Sequence, residues 1–458
     1  MQLCLLPYAQ IDKIMKYYFK IFFFIIIAQL FAGVLVCQAE YDYIDISNPF
    51  LRKIPIAIPF FKSIGDGPEV AKASVAKASV DGSDLLSETL EFTGYFKILD
   101  REAFLADSQS SIIIPKINFR NWTFIKAELL ITGSILIKNN VVEMELRLFD
   151  TFKERLLIGK RYKGWKKDQR KIIRRFCDEV VYHLTGKHGI FSTKLAFVSN
   201  STGNKEIYIC DFDGHDPKRF THNKTITLFP AWSSSGKQLA YTSFIRGKPD
   251  LFIKNINKKR GFRLVKKGIQ IAPAWVPGKY MLSATLSFSG DQEIYLLTGE
   301  GKVINRLTKS RGIDVDATWS PDGKKMAFVS KRSGTPQIYI KEIASGRVSR
   351  LTYDGRYNTQ PSWSPQGDKI VYSAMSGTQI NIIVIDIKSG KLLKLTDAQG
   401  DNESPTWSPD SSLIAFSSTR EGQSKIYVMT MYGTEQRRLF TMAGEQTDPA
   451  WSPGFANK

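Results

Sequence analysis

Apolar and polar positions in this chain change rhythm along its length. Residues 69–92 carry apolar side chains at helical spacing (Val75, Leu85, Leu86, Leu90), with Asp81-Gly82-Ser83 as a place where the helix could divide. Residues 168–184 do the same through Ile172, Ile173, Phe176, Val180, Val181 and Leu184. Gly94 and Gly186 follow as stops. The intervening runs at 53–61, 95–100, 127–137, 141–149 and 156–163 are β-branched or alternate in polarity, as strands do. Lys138-Asn139-Asn140 supplies a hairpin turn between two of them. The order predicts a small α/β domain over residues 40–186, with a sheet covered by helices on one face.

From about Ile190 a longer period takes over. Six tryptophans, Trp232, Trp275, Trp319, Trp363, Trp407 and Trp451, stand 43, 44, 44, 44 and 44 residues apart. The first five each open a turn, Trp-Ser-Pro in three of them, that leads into a short apolar strand at 239–243, 281–285, 326–330, 370–374 or 414–418. A third strand recurs around an Ile-Tyr pair (207–208, 294–295, 338–339, 426–427), and a fourth as Leu-Thr (307–308, 351–352, 395–396). Four short strands in a period of about 44 predict an all-β six-bladed β-propeller over residues 187–458. The first blade, with its strand at 195–199, has no Trp strand before it. The chain instead ends in an unused one, 449–453, which is expected to close the ring and remove its exposed edges. The strict spacing also places the tryptophans in the packing between blades, where each buries a large apolar side chain.

Charge adds little to that picture. The net charge is +20, but residues 187–458 hold 38 Lys and Arg against 23 Asp and Glu, and residues 40–186 hold 23 against 20. A diffuse excess reads as solvated loops and not as a nucleic-acid stripe. One local exception runs from Lys153 to Arg175, with eleven basic residues against Glu154 and Asp168. It could dock phosphate or carboxylate polymers, or it could divide between a strand and a helix face.

The first 39 residues read as a cleaved secretory signal, with Lys16 and Lys20 ahead of an apolar run at 21–36 and a true start at Met15. The mature chain is expected to begin at Glu40 and to work outside the cytoplasm. It would keep Cys177 and Cys210, one on a helix and one on a propeller strand, read as separately buried thiols.

Catalytic signatures are missing. There is no Gly-x-Ser-x-Gly elbow, no phosphate-binding glycine loop and no His-Glu-x-x-His. The four histidines, His183, His188, His215 and His222, are scattered, so no metal and no cofactor is expected. Asp211-Phe-Asp-Gly-His-Asp216 lacks the distal Glu of a calcium loop and reads as a plain turn. An extracytoplasmic propeller enzyme acting on an acidic polysaccharide or peptide is the competing reading, and it would need acid, base or metal ligands gathered in the channel.

The junction Asp178-Glu-Val-Val-Tyr-His-Leu-Thr-Gly186-Lys-His-Gly189, followed by Ile190 to Val198, resembles the TolB family, periplasmic propeller proteins of the Tol-Pal system. The likeness extends over leader, α/β domain and propeller. It implies a non-enzymatic binding protein, monomeric and peripheral to membranes, that links the lipoprotein Pal to TolA and supports outer-membrane invagination during division. In that family TolA engages the mature N-terminus, here Glu40, Tyr41, Asp42, Tyr43, Ile44, Asp45 and Ile46. Such a segment could add to a partner's sheet or fold back on its own domain. Pal engages the loops entering each Trp strand, which are here 223–228, 268–271, 311–316, 357–360, 401–404 and 445–448. The expected contacts are Gln270, Arg311, Asp314, Tyr357, Asn358, Thr359, Asn402, Glu403 and Gln446.

Overall fold

The computed structural model describes residues 52–64, 69–104, 117–264, 268–288 and 290–454. The expected leader and the N-terminal segment from Glu40 to Ile46 lie outside the described residues.

The α/β part is built on one sheet. Strands β1 (Ile54–Ala57), β3 (Phe96–Ile98) and β4 (Leu129–Lys138) are parallel, and β4 continues antiparallel into β5 (Val141–Asp150) and β6 (Arg155–Trp165). The short β2 (Lys62–Ser63) pairs with β4 further along. The inward side chains of β4 and β5, Ile131, Ile135, Met144, Leu146 and Leu148 among them, are sealed under helices α1 (Glu69–Glu91) and α3 (Gln169–Thr185). The helix over 69–92 does not divide at Gly82. A β-carbon there would lie 2.9 Å from Gln169 Nε2 and 3.2 Å from the Phe61 ring, so the glycine lets α1 close onto its neighbours. Gly186 ends α3 in the left-handed conformation, donating its N–H to Tyr182 O.

The sheet is covered on both faces, not one. The short helix α2 (Phe119–Phe124) and a 3₁₀ turn at Arg101–Ala103 bring Phe104, Phe119 and Trp122 against Ala57, Leu130 and Phe149 on the second face. Six residues are too few for a periodic signal, which is why the sequence pattern does not show this cover.

The propeller has six four-stranded antiparallel sheets. Five are sequential in the chain, the first running from Thr227–Trp232 to Phe262–Arg263 and the fifth from Asn402–Trp407 to Arg437–Arg438, and the sixth joins the last strand of the chain to the three strands that open the propeller. Thus β30 (Gln446–Trp451) seats beside β7 (Lys194–Ser199), pairing Gln446 with Ser199 and Trp451 with Leu195. The chain's end therefore completes blade one, as its spare Trp strand requires.

The threonine of the repeated Leu-Thr, with its counterpart in Phe220-Thr221, has a hydrogen-bonding task. The hydroxyls of Thr221, Thr308, Thr352 and Thr396 each accept the amide of a third-strand Ile (207, 294, 338, 382) at 2.9 Å. Each hydroxyl donates in turn to the buried Glu206, Glu293, Gln337 or Asn381, the residue just before that Ile. The tryptophans pack between blades. Trp232, Trp275 and Trp407 are buried and donate their indole N–H to the backbone of the preceding blade, at Ala450 O, Ala231 O and Ser362 O.

The α/β domain docks at one end of the propeller. Arg437 donates to Phe92 O, Lys53 pairs with Glu435, and α3 reaches the turn after β8 (Glu206–Asp211). These turns lie at the Lys194 end of β7, leaving the Ser199 end clear of those contacts. Among the described residues no helix is long and apolar enough to cross a membrane.

Candidate functional site: the open propeller mouth and its channel

In each blade the start of the first strand, the end of the second and the start of the third lie at one end, as Thr227↔Ser243 and Ser243↔Asp250 show. That end is the mouth away from the α/β domain. Amides clasp neighbouring blades there: Thr227 N donates to Lys205 O, Gln270 N to Pro249 O, Asp314 N to Gln292 O and Gln446 N to Ser424 O. The mouth is consequently a ring of loops on a stitched rim.

Five of the nine expected contact residues are buried in that rim and bond within the protein. Leu251 N donates to Gln270 Oε1 at 3.2 Å. Arg332 Nη2 meets Asp314 Oδ2 at 2.9 Å, and burial, opposed by that cation and by Ser330, pushes the Asp314 carboxyl up. Asn358 donates to Gln337 Oε1 and Asp354 O, at 2.9 and 2.8 Å. Asn402 donates to Gly400 O at 3.0 Å and accepts from Arg420 at 3.1 Å. Gln446 donates to Ala443 O at 3.0 Å and to Gly444 O at 2.6 Å. These five fix the loop shapes. Arg311 and Tyr357 are exposed, while Thr359 and Glu403 are half-buried. Burial first, then Asp401 and Asp448, pushes the Glu403 carboxyl up.

An arc of exposed apolar residues crosses the same mouth, and sequence reading missed it. Ile226, Ile245, Ile269, Phe288, Ile313, Tyr357 and Met375 keep 37 to 50 % of their surface exposed. Three of these, Ile226, Ile313 and Tyr357, immediately precede the first strand of blades two, four and five, and Ile269 opens that of blade three. Blades six and one carry Asp401 and Glu445 at that position. The signal was available in the repeat itself, as one register position that is apolar in four units and acidic in two.

Inside the mouth, each first strand bulges at an equivalent residue. Phe229, Ala272, Asp316, Gln360, Ser404 and Asp448 all have φ between 49° and 53°, the left-handed region that side chains other than glycine seldom adopt. The ladder shifts register at these bulges, and the six residues line a central cavity of ≈ 220 Å³. Gln360 Oε1 accepts from Ser404 N at 2.9 Å, and Ser404 Oγ donates to Asp448 Oδ1 at 3.1 Å, so hydrogen bonds run round part of the girdle. Asp316 and Asp448 belong to blades four and one, diametrically opposed in a ring of six. Burial, with the Asp448 charge behind it, raises the Asp316 carboxyl to about 6. Burial raises Asp448 as well, against a hydrogen bond from Ser404. Among the described residues no group of three or more His, Cys, Asp or Glu could hold a metal ion. The two opposed carboxylates make that part of the cavity lining polar.

Comparison with known proteins follows the same division of the chain. The family model for the TolB beta propeller domain matches residues 181–455, and that for the TolB amino-terminal domain matches residues 42–157. A "Tol-Pal system protein TolB" of Desulfosudis oleivorans is 56% identical over 288 residues, covering 61% of this chain and 64% of its own. A "Protein TolB homolog" of Chlorobaculum tepidum is 45% identical over 224 residues, covering 49% of this chain and 50% of its own. The chain thus spans less than two thirds of the length of these curated relatives. The crystal structure of TolB from Acinetobacter baumannii superposes with a TM-score of 0.76 at 26% identity, covering 88% of this chain and 97% of that one.

Proposed function

This chain belongs to the TolB family, and from that premise we propose that it is a periplasmic binding protein of the Tol-Pal system that works by holding partners, not by turning over a substrate. The observation carrying this reading is the open mouth: an apolar arc over blades two to five, polar side chains between its members, and a rim stiffened from beneath. Apolar residues exposed together beside anchored polar loops are what a protein interface presents before it is covered. The partner proposed for this mouth is the peptidoglycan-associated lipoprotein Pal, gripped by Arg311, Tyr357, Thr359 and Glu403. Gln270, Asp314, Asn358, Asn402 and Gln446 hold the loops in shape. The segment from Glu40 to Ile46 is proposed to engage TolA, and the pair of contacts to serve outer-membrane invagination during division.

Titration of the purified chain with the cognate Pal domain tests this. Saturable one-to-one binding with a Kd in roughly the micromolar range or tighter supports it, since that affinity is usual for a standard protein interface. No binding at tens of micromolar, or release of product from an acidic polysaccharide, would overturn it.

A further inference from the structure

The mouth loops carry their charges as unevenly as their apolar side chains. On blades two to five Lys224, Arg246, Lys309, Arg311, Lys331 and Arg356 are exposed, against the exposed Asp291 and Asp354. None of the six cationic side chains has an ion-pair or hydrogen-bond partner among the described residues. They stand among the seven exposed apolar residues of the arc, so this sector is apolar and basic together.

Blades six and one have the opposite character. Asp401, Glu403 and Glu445 are half-buried there and keep part of their surface in solvent. The cations beside them are mostly engaged by the rim itself. Arg420 donates to Asn402 Oδ1 and lies 4.3 Å from the centre of the Tyr427 ring. Lys425 donates to Met442 O and Gly444 O, and Arg438 pairs with Glu421. Among the described residues that leaves Lys205 to offset three carboxylates.

Six equivalent blades would by themselves accept a partner in six rotations about the channel. A potential that is positive on four blades and negative on two removes that freedom, because every wrong rotation sets like charges face to face. We infer that the mouth fixes the rotation of its partner. The partner lays an apolar, acidic surface over blades two to five and a basic one over blades six and one. Burial of the arc supplies the attraction, and the divided charge supplies the orientation. This rests on the reading of the mouth as the place where Pal is held, and adds to it the chemistry of the bound face.

The test uses the chain from Glu40 onward with the cognate Pal domain. Thr202→Cys on blade one and Lys331→Cys on blade four are exposed and stand on opposite blades of the ring. Each is labelled with a photo-crosslinker, while the buried Cys177 and Cys210 stay unlabelled. Mass spectrometry should find position 331 attached to an acidic segment of Pal and position 202 to a separate, basic one. Lys309→Glu/Lys331→Glu should keep the parent's melting temperature and weaken the complex about tenfold or more at low salt, and markedly less at high salt. Attachment of both positions to the same segments would mean that the partner rotates. That result, or a complex that the double reversal leaves unchanged, overturns the inference and leaves the mouth as the binding site. Absence of any complex overturns the reading of the mouth and this inference with it.

Discussion

Trp451 Nε1 donates a 2.8 Å hydrogen bond to Thr193 Oγ1, joining positions 258 residues apart in the chain. The bond sits at the seam where β30 completes blade one, and Ser452 Oγ accepts Lys194 N at 2.9 Å beside it. Removing residues 446–458 would leave β7 an open edge and expose the blade-one core. The truncated chain is expected to lose the single cooperative calorimetric transition of the propeller. Trp451→Ala, which keeps the strand but empties the packing, should cost about 3–5 kcal/mol. A truncated protein that melts like the parent would show that the seam does not close the ring.

The opposed carboxylates of the channel make a pH-dependent contribution of definite sign. Asp316 stands at about 6 in the folded protein, against about 3.9 in an unfolded chain. The fold therefore favours the neutral carboxyl. Its contribution is fully present below about pH 4 and is lost as pH rises through 6. Asp316→Asn should match the parent at pH 4 and exceed it at pH 7 by about 1–2 kcal/mol, after allowing for water in the channel. Denaturant titrations at the two pH values measure the difference. An unchanged gap between them would mean that folding leaves the Asp316 carboxyl where it stands in the unfolded chain.

At the mouth, affinity and stability should separate by residue. Arg311→Glu alters an exposed group and Glu403→Lys a half-buried one, so each should weaken the Pal complex by about 1–2 kcal/mol, with little change in melting temperature for Arg311→Glu. Asn358→Ala removes a buried donor to Gln337 and Asp354 and should cost about 1–3 kcal/mol of stability. Calorimetric binding and melting on the same samples distinguish the two classes. Charge reversals that left the complex intact would remove these loops from the interface.

Cys177 and Cys210 are free and buried, and burial pushes both thiols well above the ordinary range. Neither should react with an aromatic disulfide reagent over minutes in the native state, and both should react at once in denaturant. Rapid labelling without denaturant would show that α3 or β8 opens locally.

How far the sequence carried this architecture depends on how often each pattern repeats. The propeller announces itself because one packing solution recurs six times, and the unmatched Trp451 points to the seam by bookkeeping alone. The α/β domain is legible through α1 and α3, whose apolar stripes are long. The six-residue helix bearing Phe119 and Trp122 is not, because no period fits in so short a span. At the mouth the loops could be located, but polarity did not separate the groups that face outward from those that turn in. Gln270 and Asn402 look like ligands for a partner until the structure shows Gln270 accepting from Leu251 of the preceding blade and Asn402 capping its own loop. The turn at Asp211 to Asp216 was legible as a turn and nothing more. Its partners, Arg170 and Arg174, lie on a helix of the other domain, and no local rule connects them.

That turn supplies the last expectation. Arg174 is nearly buried and meets Asp211 at 2.7 Å and Asp213 at 2.9 Å, while its guanidinium lies 5.0 Å from the centre of the Phe212 ring. Burial pushes the Asp211 carboxyl up, but hydrogen bonds from Arg174 and Lys194 outweigh it and hold the group at about 2. A depressed carboxyl contributes stability above its unfolded value near 3.9, and that contribution disappears as pH falls through about 2. Arg174→Ala strips one partner from a partly buried cluster and should cost about 2–4 kcal/mol at pH 7. The parent should then lose stability more steeply than the variant between pH 4 and 2, and the gap should narrow as the carboxylates take up protons. Because the cluster spans α3 and blade one, the loss should show as earlier melting of the α/β domain alone. A variant in which both domains still melt together at the parent's temperature would mean that the apolar contact around Phe92, Phe191 and Phe212 suffices to join them.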